Sequence, residues 1–557
     1  MRRRTAMKAA LAAAGLSTVA VGCSNNGGGS GGSGGGGAGG DLPPLSIHAN
    51  STNTYQANFN PFSASMLNGT RGFIYEPLML NTPMLPGESK PWLAESQEFN
   101  EDGTVVTFTL REGVTWNDGE AFDAEDVVFT FNQMVEHPAT NANARPVVEA
   151  VATDDYTVEV TFEVPQFAYA AAIGNTLIVP EHIWSAIEDP IETTNEEPVG
   201  TGPFKVNHFD AQLYTLAKNE DYWQADEVEV MEIHYPANTT ETFNTAMRNG
   251  DLDWTGGFVP NIEDIYINHD PEHRGYWYPG GGLVTLAYNA ENPIFEDVEL
   301  LKGISLGIDR QQLSDIAMQG YTPPSHPTAL PQPAYESALS DEYKDATLEF
   351  NADEANKVLD DAGYTKGGDG IRVGKDGERL SFNVEIPSSW ADWVDIVQLM
   401  EEQLKTVGIE IVPQGVSFEA WLETRNNGNY ELTLTSVAIG QTPFDMYRSL
   451  LSSEYKVEEG PVNNNFGRYY NDEADAALEA YASTQDEVEQ QAALDTLQKL
   501  VVEQFPTIPL LQAPNWFQYN TARWTGFPNE DDPYAFGAPF QSPDNLLVVM
   551  NLTPAES

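Results

Sequence analysis

Cysteine is all but missing. Cys23 is the only one in 557 residues, which excludes intramolecular disulfides and any cysteine-built metal cluster. Basic residues are scarce too: 27 Lys and Arg stand against 84 Asp and Glu, for a net charge of −57. Such a field repels phosphate backbones and anionic lipid surfaces and excludes nucleic acid as a partner. The apolar stretch 9–22 falls short of the roughly 20 residues that a membrane-spanning helix needs. There is no HExxH and no Walker phosphate loop, and the eight histidines are scattered without ligand spacing. No metal and no cofactor is expected.

What is present is enough to fold. Hydrophobic residues make up 41% and aromatic residues 11%, and the length points to two or three domains. The acidity is spread along the chain, so it reads as a solvated surface for molar salt, where the screening length shrinks to about 3 Å. A halophilic source is the expectation.

The first forty residues read as an address. Arg2, Arg3 and Arg4, the apolar stretch and small residues before Cys23 make a signal peptide over 1–22. Arg3 and Arg4 followed by Thr5 to Lys8 resemble a twin-arginine export signal. Ala20, Val21 and Gly22 before Cys23 resemble a lipobox, which implies lipidation of Cys23. A Gly/Ser tether runs through 23–41; its GxGxxG matches have no strand before them and no helix after, so they are low complexity rather than a dinucleotide site.

From Leu42 onward, strand-like runs (LSIHA, VVTFTL, YTVEVTF, SFNVEI, IEIVPQ) alternate with helical periodicity at 124–134, 298–318, 352–362, 393–407, 473–482 and 488–503. Asp123 is placed to cap the first of these helices. Gly303 to Gly307 fit GxSxG, but Val298, Leu301, Ile304 and Ile308 draw one helical face through Ser305, so this is no nucleophile elbow.

Several stretches together resemble the family 5 extracellular solute-binding proteins of ABC importers. They are TLREG and VTWNDGEAFDAEDVVFTF at 109–131, YEPL at Tyr75, GTGPFKV at Gly200, NEDYW at Asn219, GDLDW at Gly250, GISLGIDRQQL at Gly303, MQGY at Met318 and ADEANKVLDDAGY at Ala352. RYYNDEADAAL at Arg468 and FPTIPLL at Phe505 follow in family order. The resemblance implies an α/β, bilobal periplasmic-binding-protein-like fold (type II, with an extra inserted domain) and a hinge of crossing strands. Lobe I would comprise 42–61, 199–287 and 511–557, the extra domain 62–198, and lobe II 288–510. It also implies a monomer without enzymatic turnover, lipid-anchored on the extracellular face of the cytoplasmic membrane. Its partners would be ABC permease and ATPase subunits. A secreted hydrolase, for which the abundant carboxylate pairs would serve, and a signalling receptor are the alternatives.

A cleft for an extended oligomer needs flat aromatic platforms and a few fixed polar groups. Trp254, Phe258, Trp277, Tyr278, Trp390, Trp393, Trp421 and Trp516 are the candidate platforms, with Asn53, Tyr75, Gln441 and Asn465 as polar candidates. In peptide-binding members an acid in the segment matching 436–453 clamps the peptide's amino terminus. That slot falls here on Ile439 or Gly440, which cannot accept a hydrogen bond through a side chain, leaving Asp445 as the substitute. This favours an oligosaccharide slightly over an oligopeptide. N-x-Thr sequons at Asn50, Asn68, Asn238 and Asn551 are candidate glycan acceptors on a haloarchaeal surface protein.

Overall fold

The computed structural model describes residues 42–49, 51–374, 377–457 and 460–555; Cys23, the signal peptide and tether, and Asn50 lie outside them. β-Branched and aromatic runs with period-2 burial form three principal sheets, and amphipathic helices cover them.

The first sheet has seven strands, in the order Arg274–Tyr276, Gln518–Asn520, Trp254–Thr255, Leu45–His48, Glu232–Pro236, Leu213–Lys218, Phe204–Asp210. Leu45–His48 runs parallel to both neighbours, with Ile47 opposite Trp254 and Leu45 opposite Ile233. The second sheet has five strands, in the order Glu410–Val416, Ser381–Pro387, Leu432–Ala438, Gly280–Tyr288, Ile508–Pro514. Its first three are mutually parallel and its last two antiparallel. A four-stranded antiparallel sheet of Ala94–Phe99, Val105–Leu110, Thr157–Phe162 and Val147–Asp154 lies within the expected insertion, packed under helix Ala124–Glu136. Asp123 caps that helix in a capping box with Asp126, as its position before an apolar run requires.

The two large sheets are joined by two crossing segments. Strand Arg274–Tyr276 belongs to the first sheet and Gly280–Tyr288 to the second; Ile508–Pro514 and Gln518–Asn520 return the same way. Between them Trp277 N donates to Phe517 O (3.0 Å) and Asn515 N to Pro279 O (2.8 Å), so the hinge is 277–279 beside 515–517. This moves the expected boundaries at 287/288 and 510/511. Gly282 to Tyr288 pair with the whole of Leu432–Ala438, and Ile508–Pro514 pairs with the same strand from the other side, so both strands belong to lobe II. Gly282 must be glycine there: its φ is +149°, and a Cβ would lie 2.0 Å from Val437 O.

The helices fall close to their periodicity, at Ala352–Asp361, Ala391–Thr406, Asp472–Ala482 and Glu487–Gln504. The run expected over 298–318 is broken. Helix Val298–Leu306 stops before Gly307, and Asp309 starts a new turn by accepting from Gln312 N at 3.1 Å. Ser305 sits inside the first piece, buried, which rules out an exposed elbow. No helix among the described residues is long and apolar enough to cross a membrane.

Candidate functional site

In open sheets with parallel strands, ligands bind in the crevice beyond the carboxyl ends of the strands. In lobe I these ends lie just after His48, Pro236 and Thr255; in lobe II they lie just after Pro387, Val416 and Ala438. The hinge bounds the same region.

Two aromatic clusters stand there. At the hinge, Phe258 lies 5.3 Å and Tyr278 4.7 Å from Trp516, and Tyr278 is 5.5 Å from Tyr321 of lobe II. Phe258, Tyr278, Trp516 and Tyr321 are all half-buried, so they keep ring area to offer. In lobe II, Trp390 meets Trp393 edge-on at 4.6 Å and lies 5.6 Å from both Phe418 and Trp421. Trp393 and Trp421 are 4% and 2% exposed, whereas Phe418 is 37% exposed and Trp390 intermediate. The inner pair thus backs an outer pair that presents its faces. Trp421 is fixed further by an Nε1–H bond to Thr433 Oγ1 at 3.0 Å.

Other candidates belong to the core. Trp254 is fully buried, donating to Gly537 O at 2.5 Å. Tyr75 is fully buried, its hydroxyl accepting from Asn195 Nδ2 at 2.8 Å. Asn465 donates from Nδ2 to Ser452 O (3.1 Å) and Tyr469 O (2.8 Å), stapling a turn in which its own φ is +45°. Trp277 is half-buried against the lobe I core.

At the clamp slot, Ile439 is buried and donates its N–H to Gly281 O at 2.9 Å. Gly440 holds the Tyr335 hydroxyl from both sides, its O accepting at 2.7 Å and its N donating at 3.1 Å. A Cβ on Gly440 would lie 2.2 Å from Asp445 Cβ, so no carboxylate side chain fits at that position. Asp445 itself is a capping residue: its Oδ2 accepts from Thr442 N (3.0 Å) and Oγ1 (3.3 Å) at the start of helix Pro443–Leu451. Burial pushes its carboxyl above the ordinary range. The substitute clamp is thereby taken up locally. Gln441 is the opposite case, since its Nε2 is buried without a partner among the described residues, a donor that an oxygen-rich ligand would satisfy. Asn53 is exposed beyond the end of strand Leu45–His48, with its carbonyl held by Gln212 Nε2 at 3.0 Å. Below that loop, His48 stacks on Phe243 at 4.1 Å, and burial pushes it down to about 3, so it is neutral.

Phe418, Tyr321 and Tyr335 were missed in the sequence. Phe418 follows directly on a strand end and a Ser417 cap, and Tyr321 closes the MQGY stretch; those were the available signals. Of the sequons, Asn68 is half-buried with its Thr70 fully buried, and Asn238 is 8% exposed. Asn551 and Thr553 are exposed. A groove of about 560 Å³ around Arg111 and Trp223 lies on the four-stranded domain, away from the parallel strand ends, and Arg111 covers the Trp223 ring at 4.4 Å.

Comparison with known proteins agrees with this geometry. Residues 88–458 match the bacterial extracellular solute-binding proteins, family 5 (Middle). Protein XP55 of Streptomyces lividans is 29% identical over 74% of each chain, and the oligopeptide-binding protein AppA of Bacillus subtilis 24% identical over 74% of this chain and 76% of its own. Among solved structures, a mannohexaose-bound periplasmic oligopeptide-binding protein of Thermotoga maritima superposes with a TM-score of 0.84 at 24% identity, covering 92% of this chain and 99% of the other. Bacillus subtilis AppA in complex with a nonapeptide superposes with a TM-score of 0.77 at 20% identity over 92% and 99%. With the matched segment spanning the four-stranded domain, five of the seven strands of the first sheet, the hinge strand and four of the five strands of the second sheet, the chain belongs to the family 5 extracellular solute-binding proteins.

Proposed function

We propose that this protein captures an extended, largely neutral oligomer between its lobes and delivers it to the permease and ATPase of an ABC importer, without turnover of its own. An oligosaccharide ranks slightly ahead of an oligopeptide. The observation that carries this ranking is the clamp slot. Gly440 is closed by Tyr335 and Asp445, and Asp445 is committed to Thr442, so a peptide ammonium would be left there without a fixed acid. The two aromatic clusters are flat apolar surfaces of the kind on which sugar rings lie. The oligopeptide reading draws on the relatives, whose names are those of peptide binders.

In this reading Cys23 carries a lipid and the tether holds a monomer at the extracellular face of the membrane. The signal is of the twin-arginine type, and the −57 charge suits molar salt. Titration calorimetry in concentrated NaCl with cello-oligosaccharides and with tri- to pentapeptides tests the ligand class. Tight binding of free peptides that disappears on acetylating their amino termini inverts the ranking. Catalytic cleavage of either ligand removes the importer reading.

A further inference from the structure

The four-stranded domain and lobe II also touch directly, through residues that belong to neither hinge segment. Tyr169, in the turn Phe167–Tyr169, sets its ring edge-on to Phe444 of helix Pro443–Leu451 at 5.2 Å, and Phe444 stacks on Tyr481 at 5.0 Å. Arg448 of the same helix reaches across the contact. Its Nη2 donates to Asn143 O at 2.5 Å, its Nε to Glu454 Oε2 at 3.0 Å and its Nη1 to the Tyr455 hydroxyl at 2.5 Å. The guanidinium lies 4.8 Å from the centre of the Tyr169 ring.

Asn143 lies in a turn that fixes a second guanidinium. Asn141 closes this turn by bonding both backbone groups of Arg145, its Oδ1 accepting from Arg145 N at 2.9 Å and its Nδ2 donating to Arg145 O at 2.7 Å. The Arg145 side chain is then held by Thr176 Oγ1, which accepts from Nη1 at 2.5 Å, and by Ala172 O, which accepts from Nη2. Its Nε is buried and has no partner among the described residues. Burial, reinforced by the Arg448 charge, lowers Arg145 to about 10, so it stays ionised at neutral pH. Two cations, 6% and 7% exposed, thus stand in one contact with a single paired carboxylate, Glu454, which Arg448 holds at 2.9 Å. A buried charge without a counter-charge is strongly destabilising, and a buried N–H is normally bonded.

We infer that this contact is a binding site for a small monovalent anion, chloride in concentrated NaCl, which accepts from Arg145 Nε and supplies the counter-charge that Arg145 and Arg448 together lack. With both Nη groups already bonded, Arg145 offers chiefly its Nε–H. That suits a spherical ion with one point of contact better than a carboxylate, which takes a parallel pair of donors. Because the two arginines come from different domains, an anion held between them favours the arrangement in which the four-stranded domain rests on lobe II, as any ligand favours the conformation that binds it. The site is independent of what the cleft captures.

Crystals of the full chain grown in concentrated NaBr test this by anomalous diffraction at the bromine edge. A bromide peak within hydrogen-bonding distance of Arg145 Nε is expected, to be lost on back-soaking into NaCl. It should also be absent from Arg145→Lys, which keeps the charge and loses the guanidinium. The native crystal decides alone should that variant fail to fold. In solution, replacing chloride by methanesulfonate at equal ionic strength keeps the screening and removes the small ion. Small-angle scattering should then show a larger radius of gyration for the native chain and no change for Arg145→Gln. Bromide at adventitious surface positions only, or a water at Arg145 Nε without anomalous signal, overturns the site. A native radius of gyration equal in the two salts overturns its coupling to the domain contact.

Discussion

Replacing Glu76 by glutamine should flatten the dependence of stability on pH. Glu76 is fully buried; its Oε1 accepts from Trp92 Nε1 (2.6 Å) and the Tyr222 hydroxyl (2.8 Å), and Oε2 has no partner among the described residues. No cation pairs with it there, so burial, only partly offset by these bonds, lifts the carboxyl from 4.5 to about 7. Ionising it in the folded chain therefore costs about 3 kcal/mol more than in the unfolded chain. The folded state keeps a proton that the unfolded state releases. The stability this contributes is fully present below about pH 4.5 and is lost as pH rises through about 7. Glutamine keeps the acceptor oxygen and cannot ionise. Relative to the native chain, Glu76→Gln should gain about 2 to 3 kcal/mol between roughly pH 5 and pH 8. For a cooperative body of this size that is a Tm difference widening by about 2 °C. Thermal melts of both proteins at constant high salt read this as a difference, in which the other buried carboxyls, Asp253, Asp392 and Asp544, each lifted to about 6 by burial, cancel. Parallel Tm profiles across that range would refute the reasoning.

Asp445→Ala should lower stability by about 1 kcal/mol through loss of the capping box, with oligomer affinity in calorimetry unchanged; a collapse of peptide affinity would return the clamp role to Asp445. Trp390→Ala should weaken oligosaccharide binding by about 1 to 3 kcal/mol, the worth of a stacked aromatic face, and leave the melt nearly unmoved. Trp254→Ala should do the reverse, costing about 3 to 5 kcal/mol of stability as a core truncation, and a Trp254→Ala protein that melts normally but fails to bind would contradict its place in the core. Dilution from about 3 M to about 0.1 M salt should unfold the chain as screening of its acids is lost. An unchanged cooperative fold by circular dichroism at the lower concentration would end the halophilic reading.

Local rules were legible in the sequence because they act over a few residues. Asp123 before an apolar run marks the start of helix Ala124–Glu136, and the Thr442-x-x-Asp445 spacing is that of the capping box that removes Asp445 from the clamp. Periodicity located most of the helices and principal strands, and the ordered motifs carried the family and with it the bilobal fold.

The fate of individual aromatic rings was not legible. Trp254 and Trp516 are alike in sequence texture, yet one is sealed by a bond to Gly537, 283 residues away, and the other stands half-buried at a hinge built from segments more than 200 residues apart. The lobe boundary was misplaced for the same reason. Gly280–Tyr288 reads as one more apolar strand, and only its pairing with Leu432–Ala438 and Ile508–Pro514 assigns it to lobe II. Composition and periodicity fix what a segment can form, because propensity, capping and hydrophobic period are properties of neighbours along the chain. Which face is buried, which carboxylate is left without a cation and which guanidinium is left without a counter-charge depend on long-range pairing, and the tertiary structure alone decides them.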